Sequence, residues 1–254
     1  MFNIEQLKKD QYIRSISLKR DSISSYHNFP FHLPSIKSLD ELSFHPNVTY
    51  FVGENGIGKS TLLEAIAVAT GFNPEGGSFH FNFSTYNSHS ILDKYIKLIK
   101  GVKKPKDSFF LRAETFYNLA TNIEELDREP GGARIIDSFG GVSLHQQSHG
   151  ESFWATFMNR FRGNGIYILD EPEAALSPLR QLSMLSRIHE LVLQNSQFII
   201  ATHSPIIMSY PNSTIIEFTE EGTKEIPLEE TSHYNIMKQF FDDKDRLLYH
   251  LLDE

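Results

Sequence analysis

The fold is decided by the stretch Gly53-Glu54-Asn55-Gly56-Ile57-Gly58-Lys59-Ser60. It matches the pattern G-x-x-x-x-G-K-[ST] at every fixed position. A strand-like apolar run at residues 47–52 leads into it, and residues 60–70 follow with the Ala, Leu and Ile pattern of a helix. A strand, a glycine loop and a helix in this order are the context in which such a loop binds phosphate. An ordinary glycine-rich turn is the alternative, and these flanks disfavour it.

The residue types in the loop suit the phosphates of a nucleotide. Glycines let successive backbone N–H groups turn toward phosphate oxygens, and the following helix adds the partial positive charge of its N-terminus. Lys59 is expected to reach the β- and γ-phosphates, and the Ser60 hydroxyl to ligate Mg²⁺. The predicted nucleotide contacts are the eight loop residues and Thr61, the next residue on the helix.

Two adjacent carboxylates form the second chemical feature, at the end of the buried-strand pattern Ile166-Tyr167-Ile168-Leu169-Asp170-Glu171-Pro172. Ligands of open parallel sheets bind at the carboxyl ends of the strands. We therefore expect Asp170 to hold Mg²⁺, directly or through water, and Glu171 to orient and deprotonate an attacking water molecule. A strand that simply ends in polar residues is the alternative interpretation.

Buried strands that alternate with helices predict an α/β fold, with a mainly parallel sheet flanked by helices. Further short apolar strands are expected at residues 109–111 and 198–201, and an alternating strand at 13–19. We expect a small antiparallel β lobe, formed by the N-terminal strands and parts of residues 72–83. The chain is read as a single domain, 1–254, with a nucleotide-binding core at 47–219 and an acidic C-terminal segment at 220–254.

Composition excludes several classes of protein. The 24 basic and 32 acidic residues give a net charge of −8, which disfavours a generic nucleic-acid coat. The chain has no cysteine, so disulfides, thiolate metal sites and thiol nucleophiles are excluded. No apolar run approaches the length of a membrane span, and we expect a cytoplasmic protein without membrane insertion.

Two charged segments each leave alternatives open. The segment 220–254 carries ten acidic and four basic residues, which predicts a solvated surface; a docking surface for a basic partner is the alternative. Lysines recur between Lys94 and Lys106 among apolar residues, which predicts an amphipathic surface helix ending near Gly101; a surface that follows a phosphate backbone is the alternative.

Taken in order, these features resemble the ABC-type ATPases. Asp170 and Glu171 resemble that family's magnesium-and-base motif, and residues 174–178 follow where its dimer-contacting loop lies. Residues 201–205, Ala-Thr-His-Ser-Pro, are similar to its switch-histidine motif, and residues 148–152, Ser-His-Gly-Glu-Ser, stand where its signature is expected. The residues that resemble the family span 53–205, about three fifths of the chain.

The resemblance implies a P-loop NTPase fold, ATP and Mg²⁺ as ligands, and an ATP-dependent, head-to-tail homodimer. It implies that His203 contacts the γ-phosphate, and that Ser148, Gly150 and Glu151 meet the nucleotide of a facing subunit. These positions also have structural interpretations, because Ser148 and Glu151 form a capping box pattern and Ser204 precedes a proline in the manner of a helix cap.

Departures from the transporter pattern narrow the resemblance. His149 and Glu151 stand where transporters usually carry Gly and Gln, and Glu114 stands where a metal-contacting glutamine is expected, so Glu114 is carried as a candidate metal ligand. The 88 residues between Lys59 and Ser148 leave no space for the long coiled coil of the chromosome-maintenance and DNA-repair branch. The chain resembles compact, stand-alone bacterial ATPases, loosely akin to that branch.

The expected function is therefore Mg²⁺-dependent ATP hydrolysis that drives or signals to an unidentified partner, protein or DNA. The alternative is a clamp or sensor on DNA or a partner protein, in which hydrolysis only resets the state; a transporter's nucleotide-binding subunit is disfavoured by the missing glutamine. For the adenine ring, Tyr26, Phe29 and Phe31 are stacking candidates, and packing within the β lobe is the equal alternative.

Overall fold

The computed structural model describes residues 11–79, 90–128 and 132–252, and the strands within these ranges form two sheets. The strands are β1 (Ile13–Leu18), β2 (Glu41–Ser43), β3 (Val48–Gly53), β4 (Ile96–Lys100), β5 (Asp107–Arg112), β6 (Gly165–Asp170), β7 (Gln197–Ala201), β8 (Ser213–Thr219) and β9 (Gly222–Ile226). The α-helices are α1 (Pro34–Lys37), α2 (Lys59–Thr70), α3 (Phe116–Arg128), α4 (His149–Arg160), α5 (Pro178–Leu193), α6 (Pro205–Met208), α7 (Ser232–Asp242) and α8 (Lys244–Leu252).

The main sheet has the strand order β5-β6-β7-β3-β8-β9. Its first five strands are parallel, and β9 pairs antiparallel with β8. This arrangement confirms the predicted α/β class with a mainly parallel sheet. Because β3, β6 and β7 are parallel neighbours or next neighbours, the loops that follow them leave the same edge of the sheet.

Two hydrophobic cores cover the two faces of the main sheet. In β6, Tyr167 and Leu169 point into one core, with apolar residues of α3, α4 and α5, whereas Ile166 and Ile168 point into the other, with α2 and the second sheet. A strand that is buried on both faces must be apolar at nearly every position. The uninterrupted apolar runs of the sequence have this origin.

The second sheet is the predicted antiparallel lobe, with the strand order β2-β1-β4. The prediction that parts of residues 72–83 complete the lobe was wrong for the described part of that range. Residues 72–79 contain no strand, and Gly77 instead makes an isolated bridge to Phe110 of the main sheet; residues 80–83 lie outside the described residues. The third strand of the lobe is β4.

The helix predicted over the lysine-rich segment was also wrong. Residues 91–95 form a short 3₁₀ helix, and β4 then pairs antiparallel with β1. Ile96 is buried and Leu98 packs against the same core, while Lys97 between them is exposed. Side chains of a strand alternate between its faces, and this alternation places the apolar residues inward and the lysine outward.

The acidic segment begins inside the main sheet, because β9 is hydrogen-bonded to β8. Helices α7 and α8 follow β9 and contain no buried residue. No helix within the described ranges is long and apolar enough to cross a membrane. The division of the chain at residue 220 remains a prediction.

One buried side chain joins the lobe to the main sheet. Gln197, at the start of β7, is 1% exposed. Its Oε1 accepts hydrogen bonds from the backbone N–H groups of Tyr12 and Ile13, at 3.0 and 2.9 Å, and its Nε2 donates to the carbonyls of Ile13 and His45, at 2.8 and 3.0 Å. A single amide on a strand of the main sheet thus satisfies backbone groups at the start of β1 and in the loop between β2 and β3.

Replacing this amide should weaken the whole fold. Gln197→Leu keeps the volume but removes the partners of four buried backbone contacts, and we expect the free energy of unfolding to fall by about 3 kcal/mol or more. Gln239→Leu, at an exposed position of α7, is the control and should change the free energy by less than about 0.5 kcal/mol. Urea unfolding of both variants measures the difference. Equal stabilities would contradict the assigned role of Gln197.

Candidate functional site

The glycine loop connects the end of β3 to the first residue of α2. Lys59, the first residue of this helix, is only 5% exposed, and its Nζ donates to the carbonyl oxygens of Gly53 and Glu54, both at 2.8 Å. Burial lowers the pKa of Lys59, against the attraction of the carboxylates of Glu171, Asp170 and Glu173, which act to raise it. The lysine is therefore a buried cation surrounded by carboxylates.

Glycine is required in this loop where other elements approach the backbone. Gly58 has a φ of +109°, and a Cβ at this position would lie 2.5 Å from the hydroxyl oxygen of Ser35. That hydroxyl donates to the carbonyl of Ile57 at 2.5 Å, so α1 fixes the turn that precedes Lys59. Residues 54–56 are exposed. The loop thus has one side packed on the lobe and one side open to solvent.

Ser60 and Asp170 bring two oxygen ligands together. The Ser60 hydroxyl donates to Asp170 Oδ1 at 2.9 Å, across the edge shared by α2 and β6. Asp170 is 5% exposed, and this burial raises its pKa to about 6, while Arg112 and the Ser60 hydrogen bond act to lower it. A serine hydroxyl and a single carboxylate are typical of a Mg²⁺ site that takes its remaining ligands from phosphates and water.

This donor set suits a Mg²⁺ ion that takes most of its ligands from phosphates and water. Among the described residues, no group of three or more His, Asp or Glu side chains is arranged to hold a metal ion. Mg²⁺ in phosphate sites is usually held by only one or two protein ligands. Ser60 and Asp170 together meet that requirement, so the residues present fit the implied ion.

Glu171 follows Asp170 with an unusual backbone conformation. Its φ of +50° lies in the left-handed region, which a glutamate adopts at a cost on the order of 1 kcal/mol. A hydrogen bond of 3.0 Å from its backbone N–H to the carbonyl of Ala201 and the following Pro172 hold it there. Its side chain is 45% exposed, and Oε1 lies 3.6 Å from Nε2 of His203. The carboxylate therefore faces the open side of the site.

His203 lies just beyond the end of β7 and is held through its backbone by Glu173. The carboxylate of Glu173 accepts from the His203 N–H in a short hydrogen bond and from the Thr202 hydroxyl at 2.8 Å. Burial, Lys59 and His233 together lower the pKa of His203 to about 4. Glu173 was not among the predicted site residues; its position two residues after Glu171 is the only sequence feature that points to it.

Arg112 is a second site residue that the sequence analysis missed. Its side chain is 12% exposed, with Nη1 2.7 Å from Glu64 Oε2 and Nε 3.6 Å from Asp170 Oδ2. Glu114 is 81% exposed and pairs with Arg112 Nη2 at 3.3 Å. Within the described residues, no hydrogen bond joins Glu114 to Ser60 or Asp170, so its role as a metal ligand remains a prediction.

The predicted signature residues form hydrogen bonds around the N-terminus of α4. Ser148 caps α4: its hydroxyl oxygen accepts from the Glu151 N–H at 3.4 Å, and Glu151 Oε2 accepts from the Ser148 N–H at 3.0 Å, which is the predicted capping box. Gly150 packs against the carbonyl of Ala175 and accepts from Arg180 Nη1 at 2.9 Å. In the part of the chain that the structure describes, no hydrogen bond connects residues 148–151 with residues 53–61.

The three aromatic candidates for an adenine contact differ in exposure. Phe31 is buried and its ring packs edge-on against Tyr95, at 4.8 Å between centroids. Tyr26 packs against the same core, whereas Phe29 is 58% exposed. Phe31 and Tyr26 thus pack within the lobe and Phe29 is exposed, and a contact of any of the three with adenine remains a prediction.

Comparison with known proteins identifies a matching family model and similar solved structures. A family model described as an AAA domain matches residues 9–149, more than half of the chain. No curated protein sequence matches this chain. Among solved structures, cbiO1 from Clostridium perfringens, part of the ABC transporter complex cbiONQ, is similar with a TM-score of 0.50 and 16% identity, over 96% of this chain and 100% of that one.

The SMC head domain from Thermotoga maritima is also similar, with a TM-score of 0.43 and 15% identity, over 85% of this chain and 99% of that chain. At such identities the comparison with cbiO1 shows the fold and nothing further. The fold is that of the ABC-type ATPases, as the sequence predicted.

The buried carboxylate of Asp170 should destabilise the fold above neutral pH. Its pKa of about 6 lies above the ordinary value of 3.8 for an aspartate, so the folded state binds the proton more tightly than the unfolded state. The stability that protonation contributes is present below pH 4 and is lost as the pH rises through 6. Asp170→Asn should therefore raise the free energy of unfolding by about 3 kcal/mol at pH 8 in Mg²⁺-free buffer. Near pH 4 it should change this free energy little.

Chemical unfolding at several pH values measures this gain. The control is Asp242→Asn, which changes an exposed carboxylate of α7 and should show no comparable pH-dependent gain. A destabilised Asp170→Asn at pH 8 would show that contacts of this carboxylate with Ser60 and Arg112 outweigh its desolvation.

Proposed function

The chain belongs to the AAA domain family, and from this premise we propose that it binds ATP with Mg²⁺ and hydrolyses it between two head-to-tail copies. The P-loop fold supports ATP binding and hydrolysis. One observation carries the proposal: five side chains follow the ends of the parallel strands β3, β6 and β7 and lie at the same edge of the sheet, namely Lys59, Ser60, Asp170, Glu171 and His203. Phosphoryl transfer needs the groups that they supply, which are a cation, two oxygen ligands for a metal ion, a base and a neutral imidazole.

The loop and Lys59 would bind the phosphates of ATP. Backbone N–H groups of the loop and the N-terminus of the twelve-residue α2 attract phosphate oxygens, and the Lys59 ammonium would exchange its two carbonyl contacts for β- and γ-phosphate oxygens. Ser60 and Asp170 would hold Mg²⁺, which neutralises charge on the phosphates when bound. Ionised Asp170 is also better accommodated beside a divalent cation than in the buried site alone.

Hydrolysis requires a group that takes a proton from water. Attack of the water oxygen on the γ-phosphorus breaks the bond to the bridging oxygen, and the proton passes to a base. Glu171 suits this role because its carboxylate is half exposed and adjacent to Asp170, so it reaches solvent on the side where the γ-phosphate would lie. The neutral His203 Nε2 lies 3.6 Å from that carboxylate and can donate to the γ-phosphate.

The dimer is proposed from the position of the signature residues. Ser148 and Gly150 open a capped helix of twelve residues whose N-terminus lies against the segment after Glu171. A two-fold arrangement of two chains gives two identical composite sites, in which each α4 N-terminus meets the γ-phosphate on the other loop. Glu151 would hold Ser148 in place through the capping box.

Loss of the loop lysine should abolish tight ATP binding. Lys59→Ala removes the ammonium that contacts the β- and γ-phosphates, and we expect the affinity for Mg-ATP to fall by at least about a hundredfold. Lys97→Ala, at an exposed position on β4, is the matched control. Calorimetric titration with Mg-ATP, together with thermal unfolding, measures both. Unchanged affinity in folded Lys59→Ala would refute the proposed binding site.

Glu171→Gln should bind ATP, hydrolyse it on the order of 10²–10⁴-fold more slowly than the parent, and accumulate as a dimer. The amide keeps the shape of the side chain but cannot accept the proton from water. Asp170 and Lys59 are unchanged, so the closed state persists. Phosphate release and molar mass in solution, each with Mg-ATP, test this expectation.

The double variant Glu171→Gln, Ser148→Arg is the control for the interface. Ser148→Arg places a bulky cation at the exposed end of α4, so the double variant should bind ATP but stay monomeric. If Glu171→Gln itself stays monomeric, or releases phosphate at the parental rate, the proposed dimer or the proposed base is wrong.

A further inference from the structure

A second histidine contacts His203 from the C-terminal segment. Nε2 of His233, in the first turn of α7, lies 2.9 Å from Nδ1 of His203, and the two ring centroids are 4.9 Å apart. His233 belongs to none of the sequence motifs, and thirty positions separate it from His203. The contact places part of the acidic segment against the ring that faces Glu171.

Both rings are neutral near pH 7, and this restricts how they pair. Burial and the nearby Lys59 lower the pKa of each ring, to about 4 for His203, although Glu217 acts in the opposite direction on His233. A neutral imidazole carries one N–H and one lone pair. One ring must therefore donate to the other, and the choice of donor sets where the proton of His203 resides.

The surroundings distinguish the two arrangements. His233 Nδ1 and His203 Nε2 are buried and have no hydrogen-bond partner among the described residues. If His203 Nδ1–H donated, the proton of His233 would reside on that buried Nδ1 without an acceptor, and a lone pair of His203 would face the Glu171 carboxylate at 3.6 Å. If His233 Nε2–H donates, a lone pair of His233 Nδ1 lacks a partner, and the N–H of His203 Nε2 makes no hydrogen bond but faces the Glu171 carboxylate at 3.6 Å.

Each arrangement leaves one buried N–H and one lone pair without a hydrogen bond, so the two differ at Glu171, where an N–H beside the carboxylate is attractive and a lone pair is repulsive. This difference favours donation by His233. We propose that His233 is a positioning residue for His203: its Nε2–H donates to His203 Nδ1, which keeps the His203 proton on Nε2, directed toward Glu171 and the γ-phosphate position.

The first turn of α7 is built to hold His233 in this position. Thr231, the N-cap, is fully buried; its hydroxyl donates to the Leu228 carbonyl at 2.8 Å and accepts from the Tyr234 N–H at 3.3 Å. Asn235 Nδ2 donates to the carbonyl of Glu229 at 2.9 Å. Side-chain hydrogen bonds on both sides of His233 thus anchor this end of the helix, although α7 itself buries no residue.

The tautomer of His203 can be observed directly. Long-range ¹H–¹⁵N correlation spectra of protein labelled in its eleven histidines distinguish a protonated Nδ1 from a protonated Nε2, and His203→Asn and His233→Gln assign the two signals. We expect His203 as the Nε2–H tautomer in the parent. An Nδ1–H tautomer of His203 in the parent would overturn the proposal without any assay of ATP, even if a variant at 233 failed to fold.

The catalytic consequence rests on the proposed function. His233→Leu removes the donor, and we expect kcat for ATP to fall on the order of tenfold to a hundredfold, with the affinity for Mg-ATP unchanged within about twofold. His233→Gln places an amide N–H near the position of Nε2 and should recover most of kcat. His250→Leu, at an exposed histidine of α8, is the matched control and should match the parent.

The outcomes separate the two hypotheses. Loss of kcat in His233→Leu with recovery in His233→Gln supports the positioning role, whereas parental kcat in His233→Leu, or equal losses in both variants, would overturn it. If the parent neither binds nor hydrolyses ATP, the proposed function fails, and the tautomer of His203 in the spectra still decides whether His233 is the donor.

Discussion

Parallel pairing of β3, β6 and β7 is the constraint on which the site depends. Parallel strands with helices on both sides are buried on both faces, so their interiors accept few polar side chains. Polar residues are accommodated where the strands end, and in a parallel arrangement these ends share one edge. Gly53, Asp170 and Ala201 are the last residues of the three strands, and the register pairs Asp170 with Ala201. The loop, the carboxylates and the histidine are neighbours for this reason.

The same burial places opposing charges close together. Lys59, Asp170 and Arg112 are each largely excluded from solvent, and each is stabilised by partners of opposite charge or by backbone carbonyls. Taking an ion out of water costs several kcal/mol unless such partners are present. The raised pKa of Asp170 shows that this compensation is incomplete. A site of this kind gains most from a ligand that adds the missing positive charge next to the carboxylate.

The sequence predicted the elements whose causes are local. The glycine loop, the capping box at Ser148 and the apolar strands each carry a pattern within a few residues, and the structure contains all of them. The strand β4 was missed because lysines at 94, 97 and 100 have a helical spacing, whereas the strand exists through its pairing with β1, some eighty residues away. Arg112 and Glu173 were missed since their partners are distant in sequence or on another strand.

The role of the C-terminal segment also depends on contacts that no local pattern reveals. Its composition predicted only an acidic surface, and most of α7 and α8 is indeed exposed. Yet β9 completes the main sheet beside β8, and the connection from β9 brings the buried Thr231 and then His233 back to the end of β7. A neutral imidazole has only one proton, so its neighbour decides which nitrogen faces the ligand. Through this single hydrogen bond, the segment farthest along the chain bears on the group that faces Glu171.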